Sequence, residues 1–291
     1  MTLEQLRIFI AVAEREHLSR AAAALRLTPS AVSAAIRVLE TRYGVHLFHR
    51  IGRRIELSQT GRHFLQEAKA TQASAQLAER ALAELGGLRR GSLTIRASQT
   101  IASYWLPPYL VAFKAKHPAI GITLRDGNSL DVAAAVRDGA ADIGFAEGAI
   151  DDPALTLVSV AHDRLVVISA TDHPLSRREA TNEDLVAATW ILRERGSGTR
   201  SAFEAALCRR GVDVAQLRVE LELPTNEAVC VAVGASGHLS VVSDLVARPH
   251  VDAGRFAAVA IDLGSRAFSL VCHRERYRTR ASEAFEASLR E

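Results

Sequence analysis

The sequence predicts a mixed α/β chain: a small helical unit with a hairpin, one long connecting helix, and then open α/β sheets. Three observations predict it. Residues 18–40 read as two short helices broken by a tight turn; residues 62–85 contain neither glycine nor proline; and from Ser92 onward strand and helix patterns alternate. At 291 residues the chain is long enough for two or three domains, and 48% hydrophobic residues suffice for their cores.

In the first helix of the pair, Leu18, Ala21, Ala22 and Leu25 share one face at i, i+3, i+4, i+7 spacing, and Val32, Ile36 and Leu39 repeat the pattern in the second. Thr28 is placed to cap the second helix, Pro29 fits its first position, and Gly44 suits a left-handed stop. An alanine-rich first helix allows a close crossing, as in a helix-turn-helix whose outward face carries Ser30, Ser33, Ala34 and Arg37. Such helix pairs also occur as ordinary pieces of a helical core. Charge favours nucleic acid: the first 60 residues hold nine arginines against five glutamates, an excess of four, while the whole chain carries +3. Leu47 to Ser58 then form two apolar runs around Gly52-Arg53-Arg54, a hairpin with a basic tip suited to phosphate.

His63 to Leu85 read as one helix, roughly 35 Å long at 1.5 Å per residue. Its stripe of Phe64, Leu65, Ala68, Ala75, Leu77, Ala78, Leu82 and Leu85 is too long for a small unit to cover, which points to a second copy. Gly86-Gly87 and Gly91 bracket Arg89-Arg90 as a hinge. Strands follow at 92–97, 120–125, 142–146, 165–168, 189–192, 239–242 and 268–271. Helices are expected through 112–116 and at 130–137, 201–209 and 227–233. In open sheets of this kind ligands sit beyond strand ends, against helix N-termini. The turns Ser98-Gln99-Thr100, Gly127-Asn128-Ser129 and Arg193 to Arg200 occupy such places. In the last, Gly196 and Gly198 admit close backbone approach, Ser197 and Thr199 supply hydroxyls, the helix dipole favours an anion, and Arg200 or Arg195 adds charge. It is neither a P-loop nor a dinucleotide fingerprint, and a merely capped turn fits the segment equally well.

Leu6-Arg7, Phe9, Val12-Ala13-Glu14, Arg20-Ala21-Ala22, Leu25, Ser33, Ile36, Leu39-Glu40, Gly44-Val45, Leu47-Phe48, Arg50, Leu57 and Thr60-Gly61 keep their order and spacing through the first 61 residues. This stretch resembles the winged helix-turn-helix of LysR-type transcriptional regulators. The resemblance implies double-stranded DNA as partner. It carries DNA contact onto Ser19, Arg20, Thr28, Pro29, Ser30, Ser33, Ala34 and Arg37, and onto Arg50, Arg53 and Arg54 in the wing. Many members have Arg-Gln where this chain has Ala34-Ala35, so base readout rests more on Ser30, Ser33, Arg37 or DNA shape.

The resemblance further implies a DNA-binding domain at 1–61, a linker and dimerisation helix at 62–90, and an effector domain of periplasmic-binding-protein type at 91–291. Subdomain I would comprise about 91–162 and 267–291, and subdomain II about 163–266. It implies a homodimer or homotetramer and contact with RNA polymerase. The Arg193 to Arg200, Gly127 to Val132 and Asp142 to Gly148 segments are similar to a subgroup that includes regulators of sulfur assimilation and carbon fixation. The expected effector is a small anion, sulfite or sulfate first, between Ser98–Thr100 and Ser197–Thr199. Asn128, Ser129, Glu147, Gly196, Gly198, Arg200 and Asn226 stand around it, and Glu147 and Glu227 resist bulky multi-anions.

Other classes find little footing. The ten histidines are scattered without HxH or HExxH, no nucleophile elbow is present, and Asp151-Asp152, His162-Asp163 and His173-Pro174 read as turns; neither an enzyme, a cofactor nor a metal site is expected. No run approaches a membrane span, so no membrane partner is expected. Cys208, Cys230 and Cys272 are widely spaced and read as small core hydrophobes in a reducing compartment. With no secretory signal visible, a cytoplasmic protein is expected. The alternative is a solute-binding protein of a transport system, which would share the α/β half but lack the basic helix pair.

Overall fold

The computed structural model describes residues 1–51, 54–85 and 91–290, so Gly52, Arg53 and the hinge at 86–90 lie outside the described residues, as do the side chains of Arg50 and Arg54. The chain divides into two compact units, Met1–Leu88 with Asp138–Ala140, and Arg89–Arg137 with Ala141–Glu291. In the first unit α1 (Leu3–Arg15), α2 (Leu18–Leu25) and α3 (Pro29–Tyr43) precede strands β1 (Phe48–Ile51) and β2 (Arg54–Leu57) and the helix α4 (Gln59–Leu85). Ala21 and Ala22 are fully buried, which allows α2 to lie close on its neighbours, and the chain bends by 107° between α2 and α3. Thr28 Oγ1 accepts from the Ala31 amide (3.2 Å), Pro29 is the first helical residue, and Gly44 closes α3 at φ +64°. The pattern expected of a helix-turn-helix is therefore present residue by residue.

Glu40, near the end of α3, accepts hydrogen bonds from the Leu47 and Phe48 amides at 2.8 and 3.2 Å, tying the hairpin to the helix. Phe9 lies at the centre, with the Phe64 and Phe48 rings 4.8 and 5.5 Å away. Gly61 is fixed by space: a Cβ there would stand 2.1 Å from the Leu47 carbonyl oxygen. α4 starts at Gln59, four residues earlier than the sequence suggested. Its N-terminal half packs on α1 through Phe64 and Ala68, while Leu82 is 70% exposed.

The second unit contains β3 (Ser92–Ser98), α5 (Pro107–Lys116), β4 (Gly121–Gly127), α6 (Ser129–Arg137), β5 (Ile143–Glu147), β6 (Leu155–Ser169), α7 (Asn182–Ala187), β7 (Thr189–Arg193), α8 (Gly198–Arg209), β8 (Arg218–Leu223), α9 (Asn226–Gly234), β9 (Ser240–Ser243), α10 (Asp244–Asp252), β10 (Ala257–Val259), β11 (Ser265–His273) and α11 (Arg280–Ser288). Strands follow the order β10-β6-β11-β5-β3-β4, with β9 also on β6 and β7-β8 as a parallel pair. β3 is parallel to β4 and β5, whereas β11 runs antiparallel to β5 and β6.

β6 joins two lobes. Leu155 to Arg164 pair with β11, and Leu165 to Ile168 pair with β9 in the other lobe. His162-Asp163, expected as a turn, instead lies within this strand, where Asp163 is register partner of Arg266. The first half of β6 escaped the sequence reading because Thr156 to Ser159 are exposed and give no apolar alternation. Of the cysteines, Cys230 is buried and Cys272 half-buried, but Cys208 is exposed on α8, so it is no core residue.

Candidate functional site

On the first unit, Ser19, Arg20, Thr28, Pro29, Ser30, Ala34 and Arg37 are exposed and Ser33 is half-buried. Pro29 to Arg37 occupy about the first two and a half turns of α3, with Ser30 Oγ 3.0 Å from the capping Thr28 Oγ1. Neither the Arg20 nor the Arg37 guanidinium has an ion-pair partner among the described residues. In the hairpin, Arg50 is the register partner of Ile55, and Ile51 that of Arg54.

In the second unit the strand-to-helix turns converge between the lobes. Ser98 ends β3, Glu147 ends β5, and Gly198 and Thr199 open α8. Glu147 is 2% exposed and is the hub. The Ser98 hydroxyl donates to Glu147 Oε2, the Thr199 hydroxyl to Oε1 at 3.5 Å, and Ser129 Oγ to the Glu147 carbonyl at 2.7 Å. Arg266 Nη1 donates to Thr199 Oγ1 (3.0 Å) and lies 3.5 Å from Glu147 Oε1. Nε and Nη2 of Arg266 both reach Asp163 Oδ2, at 2.9 and 2.7 Å, and Ser243 Oγ donates to Asp163 Oδ1 at 3.0 Å. One buried cation, Arg266, and two buried anions, Glu147 and Asp163, thus share the floor, each charge met by hydrogen bonds as burial demands.

Gln99 and Thr100 bridge the lobes. Gln99 Oε1 accepts from Arg193 Nη1 (3.1 Å) and the Asn226 amide (2.8 Å), while its Nε2 donates to Glu227. Asn226 Nδ2 donates to Thr100 Oγ1 at 3.1 Å, and its Oδ1 accepts from Arg193 at 3.0 Å. Tyr104, in a π-helical turn over Ile101–Trp105, donates to Glu227 Oε1 at 3.1 Å. Burial first and the Glu227 carboxylate second push the Tyr104 hydroxyl up to about 12, and the same pair of causes pushes the Cys230 thiol up to about 11. Both stay protonated near neutral pH.

The N-terminus of α8 is distinctive. Ser197, its N-cap, is 2% exposed yet makes no side-chain cap bond, whereas Thr181, Thr225 and Ser243 cap α7, α9 and α10. A Cβ on Gly198 would stand 2.1 Å from the Glu147 carbonyl oxygen, so the glycine is what lets the two lobes meet here. Ser98, Gln99, Thr100, Ser129, Glu147, Ser197, Gly198, Thr199 and Asn226 therefore come together.

Arg200 does not join them: its guanidinium faces Glu204 and Glu222 at 2.8 and 2.9 Å and the Arg193 carbonyl at 3.0 Å. Asn128 caps α6 by exchanging hydrogen bonds with Asp131, and Gly196 (φ +97°) approaches it at the rim. Arg193 was visible only as part of its loop. Asp163, Arg266 and Tyr104 gave no sequence signal as site residues, because strand pairing over more than 100 residues is what joins Arg266 to Asp163. Among the described residues no group of three or more His, Cys, Asp or Glu side chains is arranged to hold a metal ion, and no single helix is long and apolar enough to cross a membrane.

Comparison with known proteins agrees with this geometry. Residues 3–62 match the family model of bacterial regulatory helix-turn-helix proteins of the lysR family, and residues 86–291 match the LysR substrate binding domain. The HTH-type transcriptional regulator YeiE of Escherichia coli K12 is 35% identical over 98% of this chain and 96% of its own length. Among solved structures, full-length CbnR complexed with its target DNA has the same fold, with a TM-score of 0.70 at 22% identity over 100% of this chain and 99% of that one. The CcmR regulatory domain of Synechocystis PCC6803, solved in complex with 2-PG, is 26% identical over 69% of this chain and 96% of that one, with a TM-score of 0.61. The basic helix pair that a transport solute-binding protein would lack is thus matched in its own right. By both of its parts the chain belongs to the LysR family: it is a DNA-binding transcriptional regulator with an effector-binding domain, and not an enzyme.

Proposed function

We infer that DNA binding by this regulator is modulated by a compact oxyanion, sulfite before sulfate, bound between the lobes at Ser98–Thr100 and Ser197–Thr199. The observation that carries the reading is the buried, uncapped start of α8, with hydroxyls of Ser98 and Thr199 and the Arg266 guanidinium around it. Helix N-termini with free amides favour anions. That the related CcmR domain was solved with 2-PG supports a small ligand as the class of effector.

Glu147 sets the preference. A carboxylate only accepts, so an oxyanion beside it is tolerated when one of its oxygens still carries a proton. Sulfite and phosphate keep such a proton near neutral pH, and sulfate does not. Glu227 closes the rim against larger multi-anions.

On this reading each helix-turn-helix of a homodimer or homotetramer reads part of an inverted repeat, with Ser33 and Arg37 toward bases and Arg50, Arg53 and Arg54 toward phosphates. The dimer forms along α4, and closing of the lobes on the anion shifts how the paired domains are offered to DNA and to RNA polymerase.

Calorimetric titration of the full chain with sulfite, sulfate, phosphate and sugar phosphates tests the effector. Sulfite binds most tightly, and Glu147→Gln reduces the preference for sulfite over sulfate by roughly tenfold, the scale of one hydrogen bond to a charged group. Absence of binding by every one of these anions sinks the reading.

A further inference from the structure

A second cavity of about 610 Å³ opens on the other side of the Gly196–Ser197 loop, bounded by α8, β8 and the short 3-10 turn Val214–Gln216. It belongs wholly to one lobe. Its apolar floor comes from Val214, Leu217 and Val219, and its charges from Arg195, Arg200, Glu204 and Glu222. A bulge brings Val219 and Glu222 into the same wall: Trp190 pairs with Val219 but Ile191 with Leu221, leaving Glu220 as the extra residue. Bulges re-aim side chains in this way beside sites.

The charges balance but are unevenly spent. Arg200 is held by both Glu204 and Glu222, whose carboxylates are still 33% and 44% exposed and keep further acceptor positions. Arg195 is exposed and has no hydrogen bond or ion pair among the described residues. Two cations and two anions make a neutral wall, so a ligand with net charge leaves one of them in excess. A zwitterion does not.

We propose that this cavity is a second ligand site, for a zwitterionic α-amino acid with an apolar side chain. Its carboxylate meets Arg195 in a charge-assisted fork, its ammonium takes the open lone pairs of Glu204 and Glu222, and its side chain covers Val214, Leu217 and Val219. Neither the oxyanion reading nor the DNA face is needed for this site.

The test titrates the full chain with L-leucine, which keeps both charges, N-acetyl-L-leucine, which lacks the ammonium, and L-leucinamide, which lacks the carboxylate. Leucine binds at least about tenfold more tightly than either blocked form, since each blocked form leaves one charged partner unmet. Arg195→Gln, on an exposed side chain whose loss leaves thermal unfolding unchanged, weakens leucine by about the same factor. Leu217→Asp, checked for its fold by circular dichroism, removes leucine binding by charging the floor. No binding of leucine up to about 10 mM, equal binding of the three compounds, or an unchanged affinity in Arg195→Gln overturns the proposal.

Discussion

Gly198 shows how one missing methyl group sets a geometry. A Cβ there would meet the Glu147 carbonyl oxygen at 2.1 Å and Ser129 Oγ at 2.5 Å, both in the opposite lobe. Gly198→Ala therefore has to push the lobes apart or strain β5, at a cost of about 1–3 kcal/mol. Urea unfolding reads the first consequence, and loss of sulfite binding in calorimetry reads the second. Wild-type values for both would remove Gly198 from its role as the point of lobe contact. The residue was legible as a close-approach glycine, and the backbone it approaches is that of β5 in the opposite lobe. His273 supplies a pH effect. Its Nδ1 accepts from the Glu275 and Arg276 amides at 3.2 Å each, and burial first, then Arg276, holds its pKa below the usual 6.5. The unfolded chain thus takes up this proton first as pH falls, so the contribution is present above pH 6.5 and lost below it. His273→Asn keeps an acceptor without titrating, and chemical unfolding between pH 7.5 and 5.5, a window of about one unit either side of the usual value, should fall less steeply for it.

Among elements, α3 was the most legible and β6 the least. Thr28, Pro29 and Gly44 act through local backbone chemistry, so their effect is readable from three positions. They cap, start and stop α3 as the spacing indicates. β6 depends on partners: its two halves pair with strands about 110 and 75 residues further along, and its exposed stretch carries no alternation to announce it. The same contrast shaped the cleft. Ser98–Thr100 and the α8 loop lie at strand ends, which a pattern of alternating elements locates, whereas Asp163 and Arg266 are brought in by strand register. For DNA, α3 and the hairpin give separable expectations. Arg53→Ala with Arg54→Ala lowers affinity for all sequences and reduces the salt slope by about 2, one unit per phosphate contact. Arg37→Ala relaxes sequence choice with a change of about 1–3 kcal/mol confined to one base position. Binding assays across salt and operator variants distinguish them, and identical behaviour of the two would overturn the division into wing and recognition helix.

For the whole molecule, the long helix poses a burial question that one copy does not answer. Past Ala73, α4 presents Leu82 at 70% exposure, and an apolar stripe on a helix of this length is stable only when covered. Leu82→Asp should lower the oligomeric state in sedimentation analysis while leaving each unit folded; an unchanged sedimentation coefficient rules out this stretch as the contact. The lobes themselves bear one more consequence, and it is optical. The chain holds two tryptophans. Trp190 is fully buried with the Phe203 ring 4.8 Å away, deep in one lobe. Trp105 is half-buried in the other, with Phe145 and Phe268 at 5.9 Å, and the Arg266 guanidinium lies 5.7 Å over the Phe268 ring. The first indole is shielded and serves as an internal standard; the second stands one ring away from the Arg266 cation on β11. The expected outcome is that an anion entering the cleft shifts the emission of Trp105 and leaves that of Trp190 unchanged, a reading that needs no added label.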